Sequence, residues 1–173
     1  DYTATSDAIT VTNAAFYQLA VTGQPDGDAV NRTAEGAIEV TAQDRDGNPV
    51  TGFAGTVGLS LKKLVSGSYV TTTDATISAA TPTLVDGVFT WANYTITGKV
   101  GSYKIVATYT DTVPDPAVDY AVSSNAITVT NAALHHLAVT GQPDGAAVNR
   151  TAEGPIEVTA QDQDNNTVPS FNG

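Results

Sequence analysis

The sequence predicts an all-β chain built of small antiparallel sandwiches, and three observations carry that expectation. Thr, Val and Ala are abundant while charged residues make up only 14%, below the usual ~25%. Branched Cβ atoms pack well on a pleated sheet, so this composition favours strands. Apolar residues recur with period two or in short runs between turn residues, and no segment sustains a helical period. Finally, one long segment occurs twice at a spacing that suits a single sandwich of about 100 residues.

The strands follow in chain order at residues 18–22, 38–43, 56–62, 69–73, 88–92, 103–110 and 126–130. Alternation places Ile38, Val40 and Ala42 on one face, and Tyr103, Ile105, Ala107 and Tyr109 on another. Asp26-Gly27, Asp46-Gly47 and Asp86-Gly87 mark tight turns, because Gly accepts positive φ without a steric penalty. The single Trp91 is assigned to the core; a carbohydrate-stacking role would require an exposed ring.

The repeat sets the organisation. Residues 6–53 recur as 124–171, an offset of 118 residues, with about three-quarters of the aligned positions identical. That period is too long for a solenoid repeat. It predicts one complete domain over 14–131. Residues 1–13 read as the last strand of a preceding domain, and 132–173 as the opening strands of a following one. The start at Asp1 without Met adds the expectation of a leader removed or of a piece from inside a longer chain. Between the strand ending at Thr130 and the one containing Leu137-Ala-Val-Thr140 there is no Gly, Pro or Ser. Such a join lacks the composition of a flexible linker and predicts a stiff end-to-end array.

Val40-Thr-Ala-Gln-Asp-Arg-Asp-Gly-Asn-Pro-Val50, Gly55-Thr-Val57, Gly101-Ser-Tyr-Lys-Ile-Val-Ala107 and Ile127-Thr-Val129 together resemble bacterial immunoglobulin-like repeats of the invasin, intimin and giant-adhesin kind. Ala42, Asp44, Gly47, Asn48 and Val50 carry the family pattern A-x-D-x-x-G-N-x-V. The second copy departs from it, with Asn165 in place of Gly47 and Thr167 in place of Pro49. Asn tolerates the left-handed conformation next best after Gly, so the turn is expected to survive. The resemblance implies immunoglobulin-like β-sandwich domains in tandem, one complete and two partial, acting as a stalk or spacer at the cell surface or outside the cell.

The formal net charge of −11 and pI of about 4.2 disfavour nucleic acid and anionic lipid as partners. No run of about 18 apolar residues is present to span a membrane as a helix. With no cysteine, stability must come from packing, hydrogen bonds or metal. The acidic turns Asp44-Arg-Asp46 and Asp162-Gln-Asp164 are the calcium candidates. They lack the spacing of an EF-hand, and the competing reading is a turn whose Asp and Asn side chains bond their own backbone. Asp26 with Glu35, or Asp111 with Asp115 and Asp119, are alternative calcium oxygens between domains. His135-His136 suggests metal ligation, but the first copy has Tyr17 and Gln18 there. Strand alternation is also expected to turn adjacent residues to opposite faces. Asn31, Asn93, Asn149 and Asn165 each open an Asn-x-Thr glycosylation pattern. No nucleophile motif or phosphate loop is present, so no catalysis is expected.

The expected function is therefore a structural spacer in a long adhesin or extracellular filament, whose partners are neighbouring immunoglobulin-like repeats of the same or identical chains. A surface ligand would be engaged through another part of the parent protein. Two alternatives stand beside it: an adhesive module binding a glycan or protein, and a discrete subunit assembling by strand exchange. In the latter, residues 1–13 would complete the open segment 132–173 of a neighbour.

Overall fold

A computed structural model describes residues 2–12, 14–113, 117–143, 145, 149 and 154–171. The chain is all-β, with fifteen strands and no helix among the described residues. Its sheets are arranged like a sandwich around one core.

The first sheet begins with β1 (Gln18–Gly23) paired antiparallel to β4 (Ile38–Gln43), Leu19 opposite Ala42 and Val21 opposite Val40. β4 continues to β9 (Val88–Trp91), which turns back onto β8 (Thr83–Val85). Asp86 and Gly87 form that turn with φ of 49° and 80°, the left-handed pair that a two-residue hairpin requires.

The opposing sheet is organised by β11 (Gly101–Asp111). One edge pairs with β5 (Gly58–Val65), which continues to β6 (Ser68–Thr71) across Ser66-Gly67. The other edge is shared: β13 (Ile127–Thr130) takes residues 101–103 and β12 (Val118–Ser123) takes 106–111. Ile105 falls in the gap. Its N–H donates to Ser124 Oγ at 3.0 Å, and its carbonyl accepts from Ser124 N at 2.8 Å, so no buried backbone group is orphaned where the edge changes partner. β2 (Asp28–Val30) adds parallel to β13. A third, smaller sheet runs β3 (Ala34–Glu35), β10 (Tyr94–Gly98), β7 (Ala75–Ala79).

Alternation fills the space between the sheets. Ile38, Val40 and Ala42 of β4 are fully buried, as are Tyr103, Ile105 and Ala107 of β11. Phe89, Trp91, Tyr94, Ile96, Ile127 and Val129 complete the layer. Burying each large side chain contributes about 1.5–3 kcal/mol, and Trp91 lies in this core as expected.

All seven strands read from the sequence occur, with ends shifted by up to three residues. Others, including β7, β10 and β12, were not legible. β10 and β12 do alternate, but β10 offers only Tyr94 and Ile96 as apolar residues in five and β12 is largely exposed, so each signal is short and weak. Of residues 1–13, expected as a closing strand, those described, 2–12, carry none; Ile9 and Val11 are exposed. Their counterparts in β13 have β11 and β2 as ladder partners, and residues 9–12 have neither.

β14 (His136–Gly141) and β15 (Glu157–Gln161) repeat the β1–β4 pair. Leu137 stands opposite Ala160 and Val139 opposite Val158, and the register shift falls at the equivalent place in both copies, Val21/Gly23 and Val139/Gly141. Burial differs sharply. Leu19 is 7% exposed and Leu137 58%; Val40 is 0% and Val158 57%.

Candidate functional site

The polar groups that the structure concentrates lie at the join between the two copies. The centre is the turn following β15. Asp162 Oδ1 accepts from the backbone N–H groups of Asp164 and Asn166, both at 2.9 Å. Its Oδ2 accepts from Ala132 N at 3.0 Å. The Asn166 amide reaches both oxygens at 3.2 and 3.0 Å. The first copy makes the same set: Asp44 accepts from Asp46 N, Asn48 N, Ala14 N and the Asn48 amide. In each copy the carboxylate closes its own turn and anchors the chain segment entering that copy.

These bonds hold the carboxylates in the charged form. At Asp44 the Ala14 N–H is the main cause of a pKa below the usual value, against burial and with help from Asn48 and Asp46. At Asp162 burial is the largest single influence and pushes upward. The donors from Asn166, Ala132 and Asp164 together outweigh it, so the net shift is again downward.

The outer side of the second turn rests in a cradle belonging to the first copy. Arg32 donates through Nε and Nη2 to the two oxygens of Asp164, the latter at 2.6 Å. Lys99 Nζ donates to the Asp164 carbonyl at 2.8 Å. Asn166 Oδ1 accepts from Val100 N at 3.0 Å, and its amide donates to Gly98 O at 2.8 Å. Asn31 braces the cradle from behind: its amide donates to Gly98 O at 2.7 Å and to Asp164, and its Oδ1 accepts from Gly98 N. The Asp164 pair raises the Arg32 pKa further.

Local backbone positions these groups. Arg32 has φ of 67°, an uncommon conformation for a residue with a Cβ, held by Arg32 N to Ile96 O and Thr33 N to Val30 O. Asn31 N donates to Thr130 O, tying the cradle to the strand that leads into the join. Asn165 has φ of 60° where Gly47 has 84°, so the turn does survive the substitution.

Asp44 and Asp162 present their oxygens to N–H donors, so each carboxylate closes a hydrogen-bonded staple within its own turn. Asp164 faces a guanidinium, and Asp46 is exposed at the equivalent place. No group of three or more His, Asp or Glu is placed to hold a metal among the described residues. Glu35 accepts from Val30 N. With Asp26 it also adds to the shift at Tyr94, whose pKa burial pushes up to about 12. Asp119 accepts from Thr110 and Asp111 from Val113 N; Asp115 lies outside the described residues.

His135 and His136 do not diverge as strand alternation suggested. His135 precedes β14, and the two Nδ1 atoms approach to 3.1 Å. Asn31 is no accessible glycosylation acceptor, since it is fully buried and both ends of its amide are bonded. Asn93, Asn149 and Asn165 are exposed.

Sequence reasoning missed Arg32, Lys99 and Val100. The only available signal was the recurrence of Asn31-Arg-Thr33 as Asn149-Arg-Thr151 inside the repeat, which was read as a glycosylation pattern. Compared with protein-family models, curated proteins and solved structures, the chain has no match in any of the three.

Proposed function

We propose that this chain is a non-catalytic spacer in a long cell-surface or extracellular filament of immunoglobulin-like sandwiches, serving to hold successive domains in a fixed line. One observation carries the reading: the join between copies is clasped from both sides. Ala132 N is held by Asp162, while Arg32, Lys99 and Val100 hold the far face of the same turn. A join with that many directed bonds resists bending, which a stalk needs and an isolated binding domain does not. Mechanically, β11 with its eleven residues spans about 36 Å at ~3.3 Å per residue, so each unit adds a few nanometres of reach.

Small-angle scattering with residual dipolar couplings on the full chain tests the proposal. A single alignment shared by β1–β13 and by the β14–β15 hairpin is the expected result. Independent alignments would refute it.

A binding role has one specific observation in its favour. Phe16, Phe53, Tyr109 and Tyr120 form a half-buried aromatic cluster, with Asp111 at its rim, around an open cavity of about 550 Å³. Such surfaces suit stacking on a sugar face. Chemical-shift changes confined to these residues across a glycan panel would move the assignment to recognition.

A further inference from the structure

We infer that the exposed turn over residues 44–48 is a docking surface for another copy of the repeated segment, received in that copy's cradle of Asn31, Arg32, Gly98, Lys99 and Val100. The inference rests on the spacer reading and adds which atoms make the contact and in which direction copies join.

The two turns are the same object in different surroundings. Asp44 N donates to Asn48 O at 2.9 Å and Asp162 N to Asn166 O at 3.0 Å; Gly47 N donates to Asp44 O at 3.2 Å and Asn165 N to Asp162 O at 3.1 Å. The inward bonds of Asp44 and Asp162 likewise correspond one for one. Only the outer face differs. Asn166 is 4% exposed, its Oδ1 taken by Val100 N and its amide by Gly98 O. Asn48 is exposed, and its Oδ1 has no partner among the described residues. Asp164 pairs with Arg32; Asp46 is exposed and pairs with no described cation. The first turn thus displays, in the same backbone frame, the groups that the cradle grips in the second.

Charge gives the contact a direction. The chain has only 7 Lys and Arg against 18 Asp and Glu, and two of those cations, Arg32 and Lys99, converge on one acidic turn. A cationic cradle at one end and an acidic turn at the other cannot pair like with like. Copies must therefore join head to tail, which generates an open array rather than a closed dimer. The positions that differ between the turns are compatible with docking. Gly47 and Asn165 are both left-handed and exposed, and Arg45 stands where Gln163 is exposed. Asn149 and Arg150 repeat the cradle residues Asn31 and Arg32 in sequence.

The test uses the full chain with residues 14–131 inserted once more after Asn131. The new join, Asn131 to Ala14, reproduces the natural Asn131-Ala132 step, and the natural join remains downstream as an internal control. Residual dipolar couplings are measured on the two complete copies. The expected result is one common alignment. Asp46→Lys in the second complete copy should abolish it at the new join alone, and Arg32→Glu in the first copy should restore it by exchanging the charges. Asp46 is exposed, so an unchanged melting temperature in the Asp46→Lys chain confirms that folding is intact. Independent alignment at the new join with the natural join still fixed would overturn the docking inference and leave the spacer reading standing. An alignment indifferent to Asp46→Lys would also overturn it. Loss of alignment at both joins in the unsubstituted chain would sink the spacer reading itself.

Discussion

Replacing Asp44 by Ala removes the acceptor for three backbone N–H groups, those of Ala14, Asp46 and Asn48, and for the Asn48 amide. Hydrogen bonds to a charged group contribute about 1.5–3 kcal/mol each, and an unsatisfied buried donor costs about 1–3 kcal/mol. The simple sum overstates the loss, because Ala14, Asp46 and Asn48 lie at the surface and water replaces part of what the carboxylate supplied. Asp44→Ala should then cost about 2–3 kcal/mol, lowering the melting temperature by roughly 8–15 °C. Asp44→Asn keeps an acceptor oxygen and should cost about half as much. Urea unfolding followed by Trp91 fluorescence reads this directly, since Trp91 is buried in the core that the turn closes. Asp46→Ala is the control: its exposed carboxylate should change stability by less than about 0.5 kcal/mol. If Asp44→Ala cost no more than Asp46→Ala, the staple would be a bystander and the account of the turn would fail.

Acid should reveal the same carboxylates. Asp44 and Asp162 have folded pKa values below the ordinary 3.8, so their stabilisation is fully present above that value and is lost as pH falls through the lower folded values. Urea midpoints of the unsubstituted chain and Asp44→Asn should differ at pH 7 and converge towards pH 2; parallel curves would contradict the assignment. Leu19→Ala should cost about 2–5 kcal/mol and Leu137→Ala close to nothing, because identical strand positions are 7% and 58% exposed. Gly98→Ala should destabilise by about 2–4 kcal/mol: its φ is 140°, and a Cβ would overlap the Asp74 carbonyl oxygen and lie 2.6 Å from Ala75 Cα. Thermal unfolding in excess EDTA should superimpose on that in calcium, since N–H donors already face the Asp44 and Asp162 oxygens; a raised melting temperature with calcium would contradict this.

Much of the fold could be read directly. Period-two alternation located Ile38, Val40 and Ala42 on the core face and Tyr103, Ile105 and Ala107 opposite them, because a strand with one dry face must alternate. Asp86-Gly87 announced its hairpin through the positive φ it needs. β12 was hidden because much of it is exposed: only Tyr120 and Val122 reach the core, and the rest is held by its pairing with β11. The parallel pairing of β2 with β13 sets Ala29 beside Val129, 100 positions apart, and no local pattern encodes such a partner.

What the sequence determined by itself is local. The identical residues at 19–23 and 137–141, with their identical partners at 39–43 and 157–161, adopt the same register and the same irregularity, and Asp44 and Asp162 close the same turn. Those features depend on bonds within a few tens of residues, so they recur wherever the segment recurs. Tertiary structure decided everything that needs a second surface. Val40 is dry and Val158 half exposed because burial requires an opposing sheet, which β11, β5 and β13 supply only to the first copy. Asn166 is enclosed and Asn48 open because the cradle of Arg32, Lys99 and Val100 stands over only one of two equivalent turns. A side chain's chemistry travels with its sequence; what it meets does not.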